Sequence, residues 1–413
     1  MAQPFDRSGA PGQLDHERPQ ETTVGAFHPG CVATEALTVG LAGVDRTLAT
    51  QLADKALREA PCKNDLRCVM RAMSVLLIAR SLAAVDDHCT RLTGTLGPAA
   101  DGIWPLIRAQ IARLAGDLDG ARRGLDELIA PGNPRNVRQI ALAWQLETLI
   151  RAGELAQAQA LAHAHDLDRL VTLPSAHRPL LLAARGTVRL AERRFAEALA
   201  DFTGCGDAHA ADHMPNQAVL HWRAMAAFAA QGAGRPDLAR ALAEGEHEAA
   251  MRCAAPAGVG YALYARGMVA GRPKDALLML TDAVNLLEVA GARVELATVC
   301  LELGRRLVAA GDLELAEPQL ERAAELARQI GNKSLVTEIE EELRNAGTAP
   351  SRASLTPQET RIAKLARASH SNKDIAAKLN LTVRTVEFHL SSVYRKLHVS
   401  GRRELISRPL NLG

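Results

Sequence analysis

Arg384, Glu387, Phe388, Ser391 and Arg395 recur at intervals of three and four residues, the spacing that gathers side chains on one face of a helix. That face is polar and basic apart from one exposed aromatic. Guanidinium groups pair with phosphate oxygens, and short polar side chains reach the edges of bases. The opposite face carries Val386, His389, Leu390, Val393 and Leu397, an apolar stripe suited to packing. A rod of this kind would rest on a small core and present its wet side to a polyanion.

Four short helices are predicted across residues 355–408, each with its own start signal. Thr356-Pro357-Gln358-Glu359 is a capping box with proline at the first helical position, and Ile362 and Leu365 face inward behind it. Ser371 opens the second helix with Asp374 at its third position, and Ile375, Ala376 and Leu379 form its apolar face. Asn380-Leu381 makes the turn, and Thr382 caps a third helix running to about Leu397. Ser400 caps a short fourth helix that Pro409 ends. The second and third segments have the spacing of a helix-turn-helix, in which the second helix of the pair enters the major groove and the first lies across the backbone.

The ordered set LTPQE, SNKDIAAKLNLT, TVEFHL, VYRKL and the end containing Arg402 resembles the LuxR-type helix-turn-helix domain of bacterial transcription regulators. The resemblance covers about an eighth of the chain. It implies a four-helix domain that reads the major groove with its third helix and often dimerises through its fourth. Carried over by position, it implies phosphate contacts for Lys373, Thr382, Arg384, Thr385 and Lys396, and base-edge positions for Glu387, Phe388 and Ser391; Arg395 extends the same basic face. The family usually has lysine where Glu387 stands. A glutamate there either accepts a hydrogen bond from cytosine N4 or pairs with Arg384 or Arg395. Phe388 either meets a thymine methyl or folds back as rim packing, and His389 reads as a core histidine. Ser369 and His398 occupy positions where the family usually has glycine, so both turns are expected to be strained.

The charge of the 413-residue chain is divided. From Ser351 onward it has 12 Lys and Arg against 4 Asp and Glu, a balance of +8, whereas the totals of 49 and 47 leave residues 1–350 at −6. A basic end on an acidic body fits a nucleic-acid contact confined to that end. Seven scattered cysteines with no CxxC pair predict free thiols in a reducing compartment. The start of the chain lacks an apolar signal region, and the most apolar stretch, Ala72 to Ala79, lies between Arg71 and Arg80. That is well short of the roughly 20 residues that cross a bilayer, so a cytoplasmic location with no membrane partner is expected.

The long middle repeats. Gly116, Ala121 and Leu125 recur as Gly271, Ala276 and Leu280, and as Gly311, Ala316 and Leu320. Gly153 with Ala158 and Gly234 with Ala239 match in part, and Arg193 stands for the glycine ahead of Ala198 and Phe202. The anchors are 37, 40, 41, 37 and 40 residues apart, an interval of stacked helix pairs. Each glycine allows the left-handed turn that ends one helix, and the alanine five positions on lets the paired helix approach closely. Units such as GTVRLAERRFAEALADF resemble the tetratricopeptide repeat, although the repeats run longer than 34 residues and most lack the first-helix aromatic. One or two degenerate pairs are expected within 31–110.

The expected fold is all-α: a disordered polar tail at 1–25, a tetratricopeptide-like solenoid at 26–346, a linker at 347–354 and the DNA-binding domain at 355–413. The arrangement resembles the C-terminal part of large ATP-dependent LuxR regulators. No GxxxxGK[ST] exists, since Ala327 and Asn332 replace both glycines ahead of Lys333-Ser334, and no α/β receiver pattern precedes the repeats. Control by ATP or phosphotransfer within this chain is not expected. His209 and His213, four apart beside Asp207 and Asp212, have a spacing that a metal could use, but their segment GCGDAHAADHMP reads as a polar loop between repeats. No catalytic set, metal or cofactor is expected. The expected function is a sequence-specific transcription regulator, dimeric on DNA, whose repeat domain senses a peptide, protein or small molecule on its concave surface and which works with RNA polymerase. The alternative is an interaction scaffold with a vestigial or dimerising helix-turn-helix.

Overall fold

The computed structural model describes residues 31–42, 45–97, 100, 102–211, 221–345, 355, 357–379, 381–397 and 399–407. Among these the chain is helical throughout, with α-helices α1 to α22 in order, one short 3-10 helix and no strand. Consecutive helices pack in antiparallel pairs. The pairs with repeat anchors are α5 (Ile103–Ala115) with α6 (Leu118–Ile129), α7 (Arg135–Arg151) with α8 (Leu155–Ala164), and α10 (Arg178–Ala191) with α11 (Phe195–Ala211). They continue as α12 (Trp222–Gly232) with α13 (Pro236–Cys253), α14 (Pro256–Val269) with α15 (Pro273–Val289), and α16 (Arg293–Ala309) with α17 (Leu313–Gln329). Two further pairs precede them, α1 (Val32–Ala42) with α2 (Arg46–Arg58) and α3 (Leu66–Ile78) with α4 (Leu82–Leu92), and α18 (Lys333–Asn345) follows.

The repeat pattern has a direct structural meaning. Ala121, Ala158, Ala198, Ala239, Ala276 and Ala316 are all fully buried, as are Leu125, Leu280 and Leu320 four positions after three of them. The first helix of a pair approaches so closely that a Cβ at Gly304 would lie 2.6 Å from the Leu320 side chain. A small residue on one helix therefore receives a large one from its partner. Gly116, Gly153, Gly234 and Gly311 take the left-handed turn, and so does Arg193 at φ +62°. Gly271 departs from the expectation. Its helix ends in extended backbone at Ala270 and Arg272, and Pro273 starts the next helix without a left-handed residue.

The segment read as a loop from Gly204 is a second correction. Helix α11 continues to Ala211, and Cys205 is fully buried on it. Trp222 lies so close to Gly206 that a Cβ there would meet its ring at 2.4 Å. Packing against that indole outweighs the local preference of a glycine-rich stretch for a turn. The side chains of His209 and His213, and Asp212 as a whole, lie outside the described residues.

The solenoid coils far enough for its early turns to touch its late helices. Leu118 and Ala152 belong to the same apolar cluster as Val294 and Ile330. Asn332 donates through Nδ2 to the Arg151 carbonyl at 2.7 Å. Glu295, on the first turn of α16, accepts from Arg151 at 2.9 Å and from Arg80 at 3.4 Å. Burial alone would raise the Glu295 carboxyl, but Arg151 and Arg80 outweigh it and bring it down to about 2.

Candidate nucleic-acid interface

The C-terminal module is four helices: α19 (Pro357–Arg367), α20 (Asn372–Leu379), α21 (Val383–Lys396) and α22 (Arg402–Ser407). Its core joins Ile362, Ala363 and Ala366 of α19, Ile375 and Ala376 of α20, Val386, Leu390 and Val393 of α21, then Val399 and Leu405. The starts of α20 and α21 follow from local chemistry. The Ser371 hydroxyl accepts the Asp374 N–H at 3.2 Å, while Asp374 accepts the Ser371 N–H at 3.0 Å and its hydroxyl at 2.6 Å. This reciprocal cap holds the Asp374 carboxyl below its ordinary range, chiefly through the Ser371 hydroxyl. Thr382 accepts the Thr385 N–H at 3.1 Å and so caps α21. Ser400 stands one residue outside its expected place: Gly401 accepts the first amide of α22, from Leu405, while the Ser400 N–H and hydroxyl both donate to Glu404 at 2.7 Å. The Thr356 cap, Asn380, His398 and Pro409 lie outside the described residues.

Ser369 adopts φ +63°, as the serine in a glycine position implied. Arg402 ties the last helix to that turn, donating to Asn372 Oδ1 at 2.7 Å and to the His370 carbonyl. The pair α20–α21 is therefore held at both ends, by the shared core and by this arginine.

Lys373, Thr382, Arg384, Glu387 and Ser391 are exposed, and Thr385 is half-buried. Arg384, Glu387 and Ser391 share the side of α21 opposite Val386, Leu390 and Val393. Two expectations shift. Phe388 is half-buried rather than exposed, and His389 is half-buried rather than in the core. Their rings meet edge to face at 5.8 Å, so each covers the other on the flank between the two faces. The side chains of Arg395 and Lys396 lie outside the described residues. The first turn of α21 also touches the repeat body. Thr385 Oγ1 lies 3.5 Å from Glu288 on α15, at the outer edge of hydrogen-bonding range, and Arg322 of α17 holds that carboxylate at 2.6 Å. Sequence reasoning missed this contact, because nothing local links positions 288 and 385.

Residues 353–408 match the family described as bacterial regulatory proteins, luxR family. The C-terminal module is a LuxR-family helix-turn-helix domain. The chain is 33% identical over 107 residues to the tetrathionate response regulatory protein TtrR of Salmonella typhimurium, covering 24% of this chain and 52% of that protein. It is 42% identical over 60 residues to putative HTH-type transcriptional regulators of Mycobacterium bovis (Mb0914c) and Mycobacterium tuberculosis (Rv0890c), covering 14% of this chain and 7% of theirs. The chain thus spans about half the length of one curated relative and a small part of the others. The LuxR-family domain is a DNA-binding fold, joined here to stacked helical pairs. Among the described residues no helix is long and apolar enough to cross a membrane.

A second feature could take a ligand. A cleft of about 410 Å³ between α7 and the segment after α8 is lined by Leu142, Leu170, Leu173, Arg135, Arg138 and Gln139, among others. Gln139 is buried, its Oε1 accepts from Ser175 at 2.8 Å, and its Nε2 has no protein partner. His165 also lines the cleft, and burial with the nearby Arg138 charge lowers its imidazole.

Proposed function

We propose that the chain is a sequence-specific, DNA-binding transcription regulator whose repeat body controls access to α21. One observation carries this reading: a capped, core-mounted helix displays Arg384, Glu387 and Ser391 on its exposed side. In the reading, Lys373, Thr382, Arg384, Thr385, Arg395 and Lys396 hold phosphates, and Glu387, Phe388 and Ser391 face base edges. Dimerisation would place two modules on half-sites about one helical turn apart. RNA polymerase would be the downstream partner.

Control follows from the contact with α15. Glu288 puts a carboxylate beside Thr385, where the phosphate-binding reading puts a DNA phosphate. The two anions compete for one place at the positive end of α21. DNA binding then requires the module to leave the body. An effector that rearranges the repeats would shift that equilibrium, and the cleft beside Gln139 supports a small organic acid in this role. Its leucines suit an apolar portion, while Arg135 and Arg138 suit a carboxylate.

Mobility-shift titrations against selected genomic fragments test the DNA reading. Lys373→Ala and Arg384→Ala should each weaken binding and reduce the slope of log K against log salt by about 1. Unchanged affinity in both variants removes the claim.

A further inference from the structure

Cys31, Cys62 and Cys68 are 31 and 37 positions apart from the first, yet their sulfurs come together where α1 packs on α3. Cys31 Sγ lies 3.5 Å from Cys62 Sγ and 3.3 Å from Cys68 Sγ. All three sulfurs lie within 4.8 Å of one another. The thiols are free, Cys62 is buried, and Cys31 and Cys68 are half-buried. Cys89, Cys205 and Cys300 are each fully buried in apolar clusters as small hydrophobic groups, and Cys62 belongs to the same cluster as Cys89, with Cys31 and Cys68 packed against it.

The cluster lies where two helices begin. Cys31 immediately precedes α1, and its carbonyl accepts the Thr34 and Glu35 N–H groups. Cys68 is in the first turn of α3, behind the Asp65 cap. Two helix starts therefore meet at one cluster. The distances suit a metal as well. With zinc–sulfur bonds of about 2.3 Å, the edge of a tetrahedron is roughly 3.8 Å. The separations from Cys31, 3.3 and 3.5 Å, fall a few tenths of an ångström short of that edge, so small side-chain rotations would bring three sulfurs onto one ion. A disulfide would use two of the three and leave the third thiol unexplained.

We propose that Cys31, Cys62 and Cys68 form a three-thiolate site for a soft thiophilic metal ion, divalent zinc or monovalent copper, which clamps α1 to α3. Each thiol loses its proton to solvent on binding, so no oxidant or reductant enters. Zinc would leave a fourth position for water, whereas monovalent copper is satisfied by softer sulfur donors alone. The half-buried Cys31 and Cys68 leave an entry path from solvent.

The test uses the full chain, reduced with a phosphine, stripped with a chelator and dialysed anaerobically against Zn2+ or Cu+ in separate arms. One equivalent of either ion per chain is expected, and the arm with the tighter retention identifies the ion. Cys31→Ser and Cys68→Ser should each weaken retention by at least roughly 10- to 100-fold, the loss that changes in the outer shell of a metal site already produce. Unchanged far-ultraviolet circular dichroism shows that these half-buried variants still fold. Cobalt substitution should give sulfur-to-metal charge-transfer absorption in the parent chain and lose intensity in each variant. Equal metal retention by the parent and by the triple Cys→Ser chain overturns the proposal. So does a Cys31–Cys62 or Cys31–Cys68 disulfide in thiol-trapped protein that takes up neither ion after reduction.

Discussion

Replacing Glu295 with glutamine should open the seam that closes the repeat body. Glu295 is the counter-charge to two arginines from distant parts of the chain, Arg80 after α3 and Arg151 at the end of α7. Its side chain is only 13% exposed, and Arg80's is 12%. The amide keeps the shape but leaves the buried Arg80 guanidinium and the partly exposed Arg151 without the carboxylate they share. Breaking a buried pair in this way costs about 3–5 kcal/mol. The carboxyl itself gives a concordant figure: its fall from an ordinary 4.5 to about 2 corresponds to roughly 3 kcal/mol of stabilisation at neutral pH. The sign follows from a folded-state value below the unfolded one. The contribution is complete above about pH 4.5 and is lost as pH falls toward 2. Thermal unfolding at pH 7 should therefore drop by roughly 5–8 °C in the variant. Hydrogen exchange should speed up first at the start of α16 and at the end of α7. On lowering pH from 5 toward 3, the parent should lose its advantage over the variant. The exposed pair Arg328–Glu340, about half-exposed on both sides, gives the contrast: Glu340→Gln should change stability by roughly 0–1 kcal/mol. A Glu295→Gln chain that melts with the parent and keeps its exchange pattern would refute the view that this carboxylate fastens the coil.

Three further outcomes are expected. Glu288→Ala should raise DNA affinity at low salt by removing the anion beside Thr385, and an unchanged or weaker titration would separate that contact from DNA control. Gly304→Ala should destabilise the body by roughly 1–3 kcal/mol, because its Cβ would lie 2.6 Å from Leu320; denaturant midpoints measure this, and a neutral result would mean that α16 and α17 move apart freely. Arg193→Gly should stabilise by several tenths to about 1 kcal/mol, because an exposed arginine at φ +62° gives way to the residue suited to that turn; a lower denaturant midpoint would contradict it.

The parts legible in advance were those governed by local rules. Ser371 with Asp374, and Thr382 with Thr385, are caps that any four consecutive residues of the right kind can form, so the helix-turn-helix could be placed from its own text. The interval between Gly116, Gly153, Arg193 and Gly234 likewise carried the solenoid, because each repeat buries its alanine against its own partner helix. Composition misled at Gly204–Ala211, where the packing of Trp222 on Gly206 extends a helix through a glycine-rich stretch.

Sequence alone determined the helical pairs, the basic end and the helix-turn-helix, because each depends on contacts a few residues apart or on a period repeated along the chain. Only the tertiary structure decided that Glu295 meets Arg80 and Arg151, that Glu288 reaches Thr385, and that three cysteines share one point. Those meetings depend on how small rotations accumulate from one helix pair to the next, and no single repeat contains that sum.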